Sequence, residues 1–312
     1  MRVDGLQYAA WGEKTFGEMR EGGLAAVHAT LAYHGGFREA VTLLNDWHRL
    51  AEAHADRVVL VRDAAGIEGA GTRTAILLGS QNPSIIEDEI GLIRAWRDLG
   101  LSFLQITYNQ QSLLGTGHAE SYDAGLTAMG REALSEMARH GMACDLSHAG
   151  HRTMMEAIAE APGIPCVSHA NPHDWHPVSR NVPEEAIAGI AERGGVLGLS
   201  LYPHHMPEGV SLEAFCDTAA GVVERHGPDV LAIGSDLCRG RPDAAVDWMR
   251  RGRWSAKPHI GARFPAMPDW FASSADFPGI EVGLARVMDA ETVAKLMGGN
   301  WMRYIRAVLS PG

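Results

Sequence analysis

Residues 144–150 read "CDLSHAG" and residues 165–171 read "PCVSHAN". Both are short apolar runs that finish on a Ser-His pair, Ser147-His148 in the first and Ser168-His169 in the second. Runs this short, bounded by turn-forming residues, read as strands buried on both faces. The stretch between them, 152–160, carries helical periodicity. Strand, helix, strand is the unit of a parallel sheet, in which successive strands point the same way. The two histidines therefore sit at the same end of the sheet, on consecutive strands.

The alternation extends in both directions. Strands are expected at 3–8, 24–33, 74–79, 103–107, 142–147, 165–168, 196–202 and 230–234. Helices fall between them, among them 86–99, 127–140, 152–160, 184–193 and 212–226. Gly100, Gly141, Gly194 and Gly227 follow the last apolar position of several helices, the usual C-terminal stop. Eight strands joined by seven crossovers predict an α/β fold, a (β/α)8 barrel of the TIM type. A doubly wound open sheet is the alternative. It calls for a glycine-rich phosphate turn after its first strand, and "DGLQYAAWG" is not one. One domain over 1–312 is expected, with a long Arg-, Trp- and Pro-rich insertion at about 236–279 acting as a lid or an interface. "MGGNWMRYI" (297–305) reads as part of a docked C-terminal helix.

With 46% hydrophobic and 21% charged residues, the chain can bury a sizeable core. Its 27 basic and 38 acidic residues leave a net charge of −11, spread along the chain. That balance argues against nucleic acid or an anionic membrane surface as a partner. No apolar run approaches the roughly 20 residues that span a bilayer, and "MRVDGLQYAA" reads as strand rather than leader. Cys144, Cys166, Cys216 and Cys238 are widely spaced, so free thiols and a cytoplasmic setting are expected.

Active sites of such barrels lie at the C-terminal ends of the strands. His148, His169 and Asp236, the last residue of "AIGSD" (232–236), occupy such ends, and two imidazoles with a carboxylate suit zinc. A strand-end histidine can equally be a hydrogen-bonded structural residue. His28, inside the run 24–33, is a further ligand candidate if it points into the barrel, and a satisfied core histidine otherwise. Gln81, Asn82, Tyr108, Asn109, Gln110, Gln111, Arg180 and Tyr202 form a polar set at the mouth, suited to a polar small molecule. His151, His173, His176, His204 and His205 decorate loops near the same mouth, and Trp248, Trp254 and Trp270 are candidates to cap it or to seal a subunit contact.

Taken together, "DLSHAGHRTM", "PCVSHAN", "SRNVPEEAI", "AIGSD" and "MGGNWMRYI" resemble the renal (membrane) dipeptidase family of zinc peptidases in the amidohydrolase superfamily. The resemblance implies a metal-dependent hydrolase on a (β/α)8 barrel, with a two-zinc centre that cleaves dipeptides or related amides. It implies His148 and His169 as ligands of one zinc and Asp236 as the acid that handles the proton of the attacking water. It also implies Arg180 as the group that binds the substrate's terminal carboxylate, and Tyr202 as a substrate contact. Departures from the pattern are concentrated at the other zinc. The family's His-x-Asp pair on the first strand is replaced by Leu6 and Tyr8, its bridging glutamate by Gln81, and its substrate-binding histidine after strand four by Tyr108. A neutral amide lacks the negative charge that holds two dications together. At most one zinc ion is therefore expected, or none, with Asp236 or His28 as its third ligand.

Three readings follow. One is a dipeptidase-like amidohydrolase cleaving a C–N bond of a small carboxylate-bearing dipeptide or amide, with Arg180, Tyr202, Tyr108, Gln81 and Asn109 binding substrate. Another is an enzyme of changed, metal-independent chemistry on the same barrel. The third is a non-catalytic small-molecule binder. A homodimer is expected in each case.

Overall fold

The computed structural model describes residues 1–251 and 263–309. Ten parallel strands form its sheet: β1 (Arg2–Ala9), β2 (Leu24–Ala32), β3 (Val58–Val61), β4 (Thr74–Ser80), β5 (Leu101–Gln105), β6 (Ala143–Asp145), β7 (Cys166–Ala170), β8 (Val196–Leu199), β9 (Leu231–Ile233) and β10 (Leu237–Arg239). The order β10-β1-β2-β4-β5-β6-β7-β8-β9 closes on itself, because β9 and β10 are two halves of one barrel strand. β9 pairs with β8, and β10 pairs with β1 through Gln7↔Leu237 to Ala9↔Arg239. The break at Gly234-Ser235-Asp236 is stitched to β1 by Ser235 N–H donating to Asp4 Oδ1 at 2.7 Å and Asp236 N–H donating to the Leu6 carbonyl at 3.0 Å. The fold is thus the expected (β/α)8 barrel.

Glycine lets the barrel close this tightly. A Cβ on Gly234 would lie 1.7 Å from the Ser168 carbonyl oxygen, and one on Gly198 2.0 Å from the same atom. No side chain can stand at either place. Across the N-terminal end of the barrel lies the helix Asn300–Leu309, the expected docked helix. Its buried Trp301 donates to the Ile233 carbonyl at 2.8 Å, and Tyr304 to the Ile164 carbonyl at 3.0 Å. Both rings thereby bury their apolar surface and still satisfy their polar atoms.

Three expectations need correction. Residues 86–99 do not make one helix: a 3-10 turn at Pro83–Ile86 ends where Glu87 adopts φ 52°, and the helix starts afresh at Leu92–Leu99. The stretch at 236–279 is not wholly an insertion, since its first residues complete the barrel as β10. A helix, Ala244–Arg251, then follows over the mouth. Trp254 lies outside the described residues. The third is an omission: β3 extends the sheet along β4, pairing Val58–Val61 with Thr74–Leu77 just ahead of β5 on that edge. The four glycine stops all hold, with φ of 108°, 63°, 70° and 84° at Gly100, Gly141, Gly194 and Gly227.

Candidate active site at the barrel mouth

A cavity of about 420 Å³ opens at the C-terminal ends of the strands. Its walls include Gln81, Tyr108, Asn109, His118, His148, Arg180, Tyr202, His205, Asp236 and Cys238, and the helix Ala244–Arg251 supplies Val246 and Met249. Non-glycine residues with positive φ cluster here: Asn109 (58°), His148 (67°) and Asp236 (52°) are three of the four in the described chain. Each such residue costs on the order of 1–3 kcal/mol, and such residues gather where function dictates side-chain direction.

The repeated Ser-His pair now has its explanation. Asp145, at the end of β6, is a pure acceptor: it takes hydrogens from Ser168 Oγ (2.5 Å), Gln105 Nε2 (2.9 Å), and the backbone N–H groups of Ser147 (3.0 Å) and Ser168 (2.9 Å). With its hydroxyl hydrogen committed to Asp145, Ser168 Oγ accepts from His169 Nδ1 at 2.7 Å. Ser147 Oγ accepts the His169 backbone N–H at 3.2 Å. The serines are the platform on which the imidazoles stand. His169 consequently carries its proton on Nδ1 and turns an Nε2 lone pair toward His148. On the other side, His148 Nδ1 donates to Asn109 Oδ1 at 2.8 Å, and His118 Nε2 donates to the same oxygen at 3.0 Å. The two Nε2 atoms of His148 and His169 end 3.1 Å apart. Burial, with the positive charge of Arg180 second, holds both histidines well below their ordinary pKa, so both rings are neutral.

Arg180 is only 6% exposed. One of its nitrogens, Nη2, donates to the His169 carbonyl at 2.7 Å, while Nε and Nη1 are buried without a partner. Burial lowers its pKa to about 10, against the pull of Asp236 and Asp145. Arg180 makes no ion pair with Glu184, which starts the following helix and binds Arg225 and His226 instead. Asp236 is pushed up to about 7 by burial, with Arg180 pulling it down and Asp4 adding a smaller push upward. Its Oδ2 lies 4.0 Å from His205 Nδ1, which also bonds Ser200 Oγ at 2.8 Å.

Where a second metal would need ligands, the chain has built an aromatic wall. Leu6 is fully buried. Tyr8 packs edge-on against Tyr33 with centroids 4.9 Å apart, and Tyr33 against Tyr108 at 5.0 Å. Gln81 is tied to that wall, its Nε2 donating to Thr30 Oγ1 at 2.8 Å and Tyr33 Oη at 3.0 Å.

The sequence-predicted residues His148, Asp236, Arg180, Tyr202, Tyr108, Gln81 and Asn109 thus meet around one cavity, with His169 directly behind His148. His28 does not join them. It points into the barrel interior, stacks on Phe103 at 4.1 Å, and bonds the Gly5 carbonyl through Nδ1 at 2.7 Å. Of the loop histidines, His204 and His205 reach the cavity, whereas His151 bonds the Asn181 carbonyl and packs on His173. His118 escaped the sequence reading. The loop after β5 folds back so that His118 N–H donates to the His148 carbonyl at 2.9 Å, a return that nothing local in "GTGHAES" announces.

The model of the membrane dipeptidase family (peptidase family M19) matches residues 13–248. The chain belongs to that family. An amidohydrolase from Pseudomonas aeruginosa is 32% identical, with a TM-score of 0.93 over 99% of this chain and 96% of that one. A metallopeptidase from Rhodobacter sphaeroides, solved with a phosphinate mimic of the dipeptide L-Ala-D-Ala, superposes with a TM-score of 0.81 over 98% and 99% of the two chains, at 17% identity, and so shares the fold. Dipeptidase tcpJ of Claviceps purpurea is 25% identical over 289 residues, which cover 88% of this chain and 61% of that protein. The chain therefore spans less than two thirds of the length of that curated relative.

The two-metal centre implied by the family does not fit this chain. Leu6 and Tyr8 offer no ligand, and among the described residues no three His, Cys, Asp or Glu side chains converge to hold an ion. One ion does fit between the two histidines. Both present lone pairs, and their 3.1 Å separation is close to the roughly 3.3–3.4 Å that two nitrogens around one tetrahedral zinc leave.

Proposed function

We propose that this protein hydrolyses the C–N bond of a small dipeptide or amide that carries a free carboxylate, using at most one metal. Arg180 carries the reading. A buried guanidinium with two unpartnered nitrogens costs on the order of 1–3 kcal/mol for each N–H left unpaired, a cost that an anionic ligand in the cavity removes. Nη1, with no protein partner, is free to donate to a ligand carboxylate in a charge-assisted hydrogen bond. Asp236, with a pKa of about 7, exchanges its proton near neutrality. That suits it to accept the proton of the attacking water and to return it to the leaving amine. A metal held by His148 and His169 would activate water and polarise the scissile carbonyl. Tyr108, Asn109 and Tyr202 line the remaining walls and set the shape of the substrate. The dipeptidase name of the Claviceps relative and the dipeptide mimic in the Rhodobacter structure support the same substrate class.

A second reading, metal-independent acid–base chemistry, draws on the 4.0 Å approach of Asp236 to His205. No described helix is long and apolar enough to cross a membrane. The four free cysteines support a cytoplasmic setting. The half-exposed Trp248 supports a homodimer, which light scattering would test.

The deciding experiment compares dipeptides and N-acyl amino acids with their C-terminal amides. Turnover of the free acids with little or none of the amides is expected. Equal turnover of both, or turnover of neither, would overturn the proposal.

A further inference from the structure

Ser179, the residue before Arg180, is held from a distant part of the barrel mouth. Its Oγ lies 3.1 Å from His118 Nδ1. His118 spends its Nε2 hydrogen on Asn109 Oδ1 at 3.0 Å, so the neutral ring keeps a lone pair on Nδ1 and the Ser179 hydroxyl donates to it. Burial, with the charges of Arg180 and His151 adding to it, lowers the His118 pKa to about 3, and the ring stays neutral. The loop that carries the ring is itself fixed, with the His118 N–H donating to the His148 carbonyl at 2.9 Å and the Ala119 N–H to the Asn109 carbonyl at 2.8 Å. One imidazole thus clasps the loop after β5 to the loop after β7. It joins Asn109, the acceptor that orients His148, to the neighbour of Arg180.

Arg180 therefore stands between two anchors. On one side Asn181 Nδ2 donates to the carbonyls of His176 at 2.9 Å and His205 at 3.0 Å. On the other is the Ser179–His118 clasp. We infer that His118 is a positioning residue: through Ser179 it fixes the Arg180 guanidinium at one distance from the His148–His169 pair, and so sets how far a substrate's carboxylate can lie from the bond that is cut. The inference rests on the proposed function, in which Arg180 takes that carboxylate. A C-terminal glycine puts one carbon between the scissile nitrogen and the carboxylate, and a C-terminal β-alanine puts two. A fixed guanidinium tells these apart, because a misplacement of about 1 Å can cost on the order of 100-fold in rate. A loosened one follows either.

The test compares a dipeptide ending in glycine with the same compound ending in β-alanine. Both are assayed with the wild type, Ser179→Ala, Ser179→Thr, His118→Ala and the double variant His118→Ala/Ser179→Ala. The wild type should favour the glycine form at least tenfold in kcat/KM. Ser179 is exposed, so its alanine variant should fold. That variant should raise KM for the glycine form at least threefold with kcat within twofold, and should cut the preference at least threefold. Ser179→Thr keeps the hydroxyl and should restore both. The double variant should lose no more of the preference than His118→Ala alone, because the two residues act through one bond. Additive losses would mean that Ser179 meets the substrate directly, and would overturn the inference. An unchanged preference in Ser179→Ala, or a wild type that does not distinguish the two substrates, would overturn it too. Each of these results leaves the hydrolase reading in place, whereas hydrolysis of neither substrate by the wild type removes that reading and the inference with it.

Discussion

Replacing Asp236 by asparagine should make the protein more stable as well as inactive, and more stable by an amount that depends on pH. Unfolded, the Asp236 carboxyl loses its proton at its ordinary 3.8; folded, it keeps it until about 7. Between those values the folded state binds more protons, so the stability contributed by this residue falls as pH rises through the window and levels off above it. At ~1.4 kcal/mol for each tenfold change in the ionisation equilibrium, the penalty above pH 7 has an upper bound of about 4 kcal/mol. Asparagine keeps the shape and carries no charge, so it escapes that penalty. It cannot move a proton. Urea unfolding of the metal-free wild type and of Asp236→Asn, in chelator at pH 4.5, 6 and 8, reads the effect. A small difference at the lowest pH should grow to a gain on the order of 2–4 kcal/mol at pH 8. A difference that does not change with pH, or an asparagine variant less stable at pH 8, would refute the idea that burial holds this carboxyl in its protonated form.

Other expectations are simpler to check. Arg180→Lys should raise KM for a carboxylate substrate at least tenfold, about 1.4 kcal/mol, with little change in melting temperature; unchanged kinetics would mean that the guanidinium serves the loop. Trp301→Ala should cost about 3–5 kcal/mol, read by denaturant unfolding, because the ring fills the closed end of the barrel and bonds the Ile233 carbonyl. Asn109→Ala removes the acceptor that fixes both His148 and His118, and should weaken zinc binding at least tenfold and lower the unfolding midpoint by several degrees, because two ring N–H groups lose their partner.

The barrel was legible because its strands are continuous apolar runs separated by amphipathic helices. β3 was not, because four residues beside β4 add to the sheet without adding a unit to the barrel. The break in the eighth strand escaped for another reason: the positive φ of Asp236 is a tertiary constraint that its own sequence does not announce. Chemistry at the strand ends was readable in the same degree. His148 and His169 stand where their positions in the runs put them, whereas Asp236 stands at a break within the eighth strand and not at its end. His28 could not be placed, since strands buried on both faces give no alternation to tell inside from outside. It does face inward, but four residues before the end of β2, about 13 Å below the mouth at roughly 3.3 Å per residue. The orientation of the Gln81 amide is set by Thr30 and Tyr33 on the neighbouring strand and in its loop, and no count along the chain could supply it.

The central claim is that this barrel has exchanged a two-metal centre for a site with room for one ion, beside a guanidinium with two unpartnered nitrogens. Anomalous diffraction at the zinc edge, on crystals grown with excess zinc, tests it most directly. One peak between His148 and His169, and none against Leu6 and Tyr8, is the expected result. Two peaks about 3.5 Å apart, the spacing of a two-metal centre, would contradict the account.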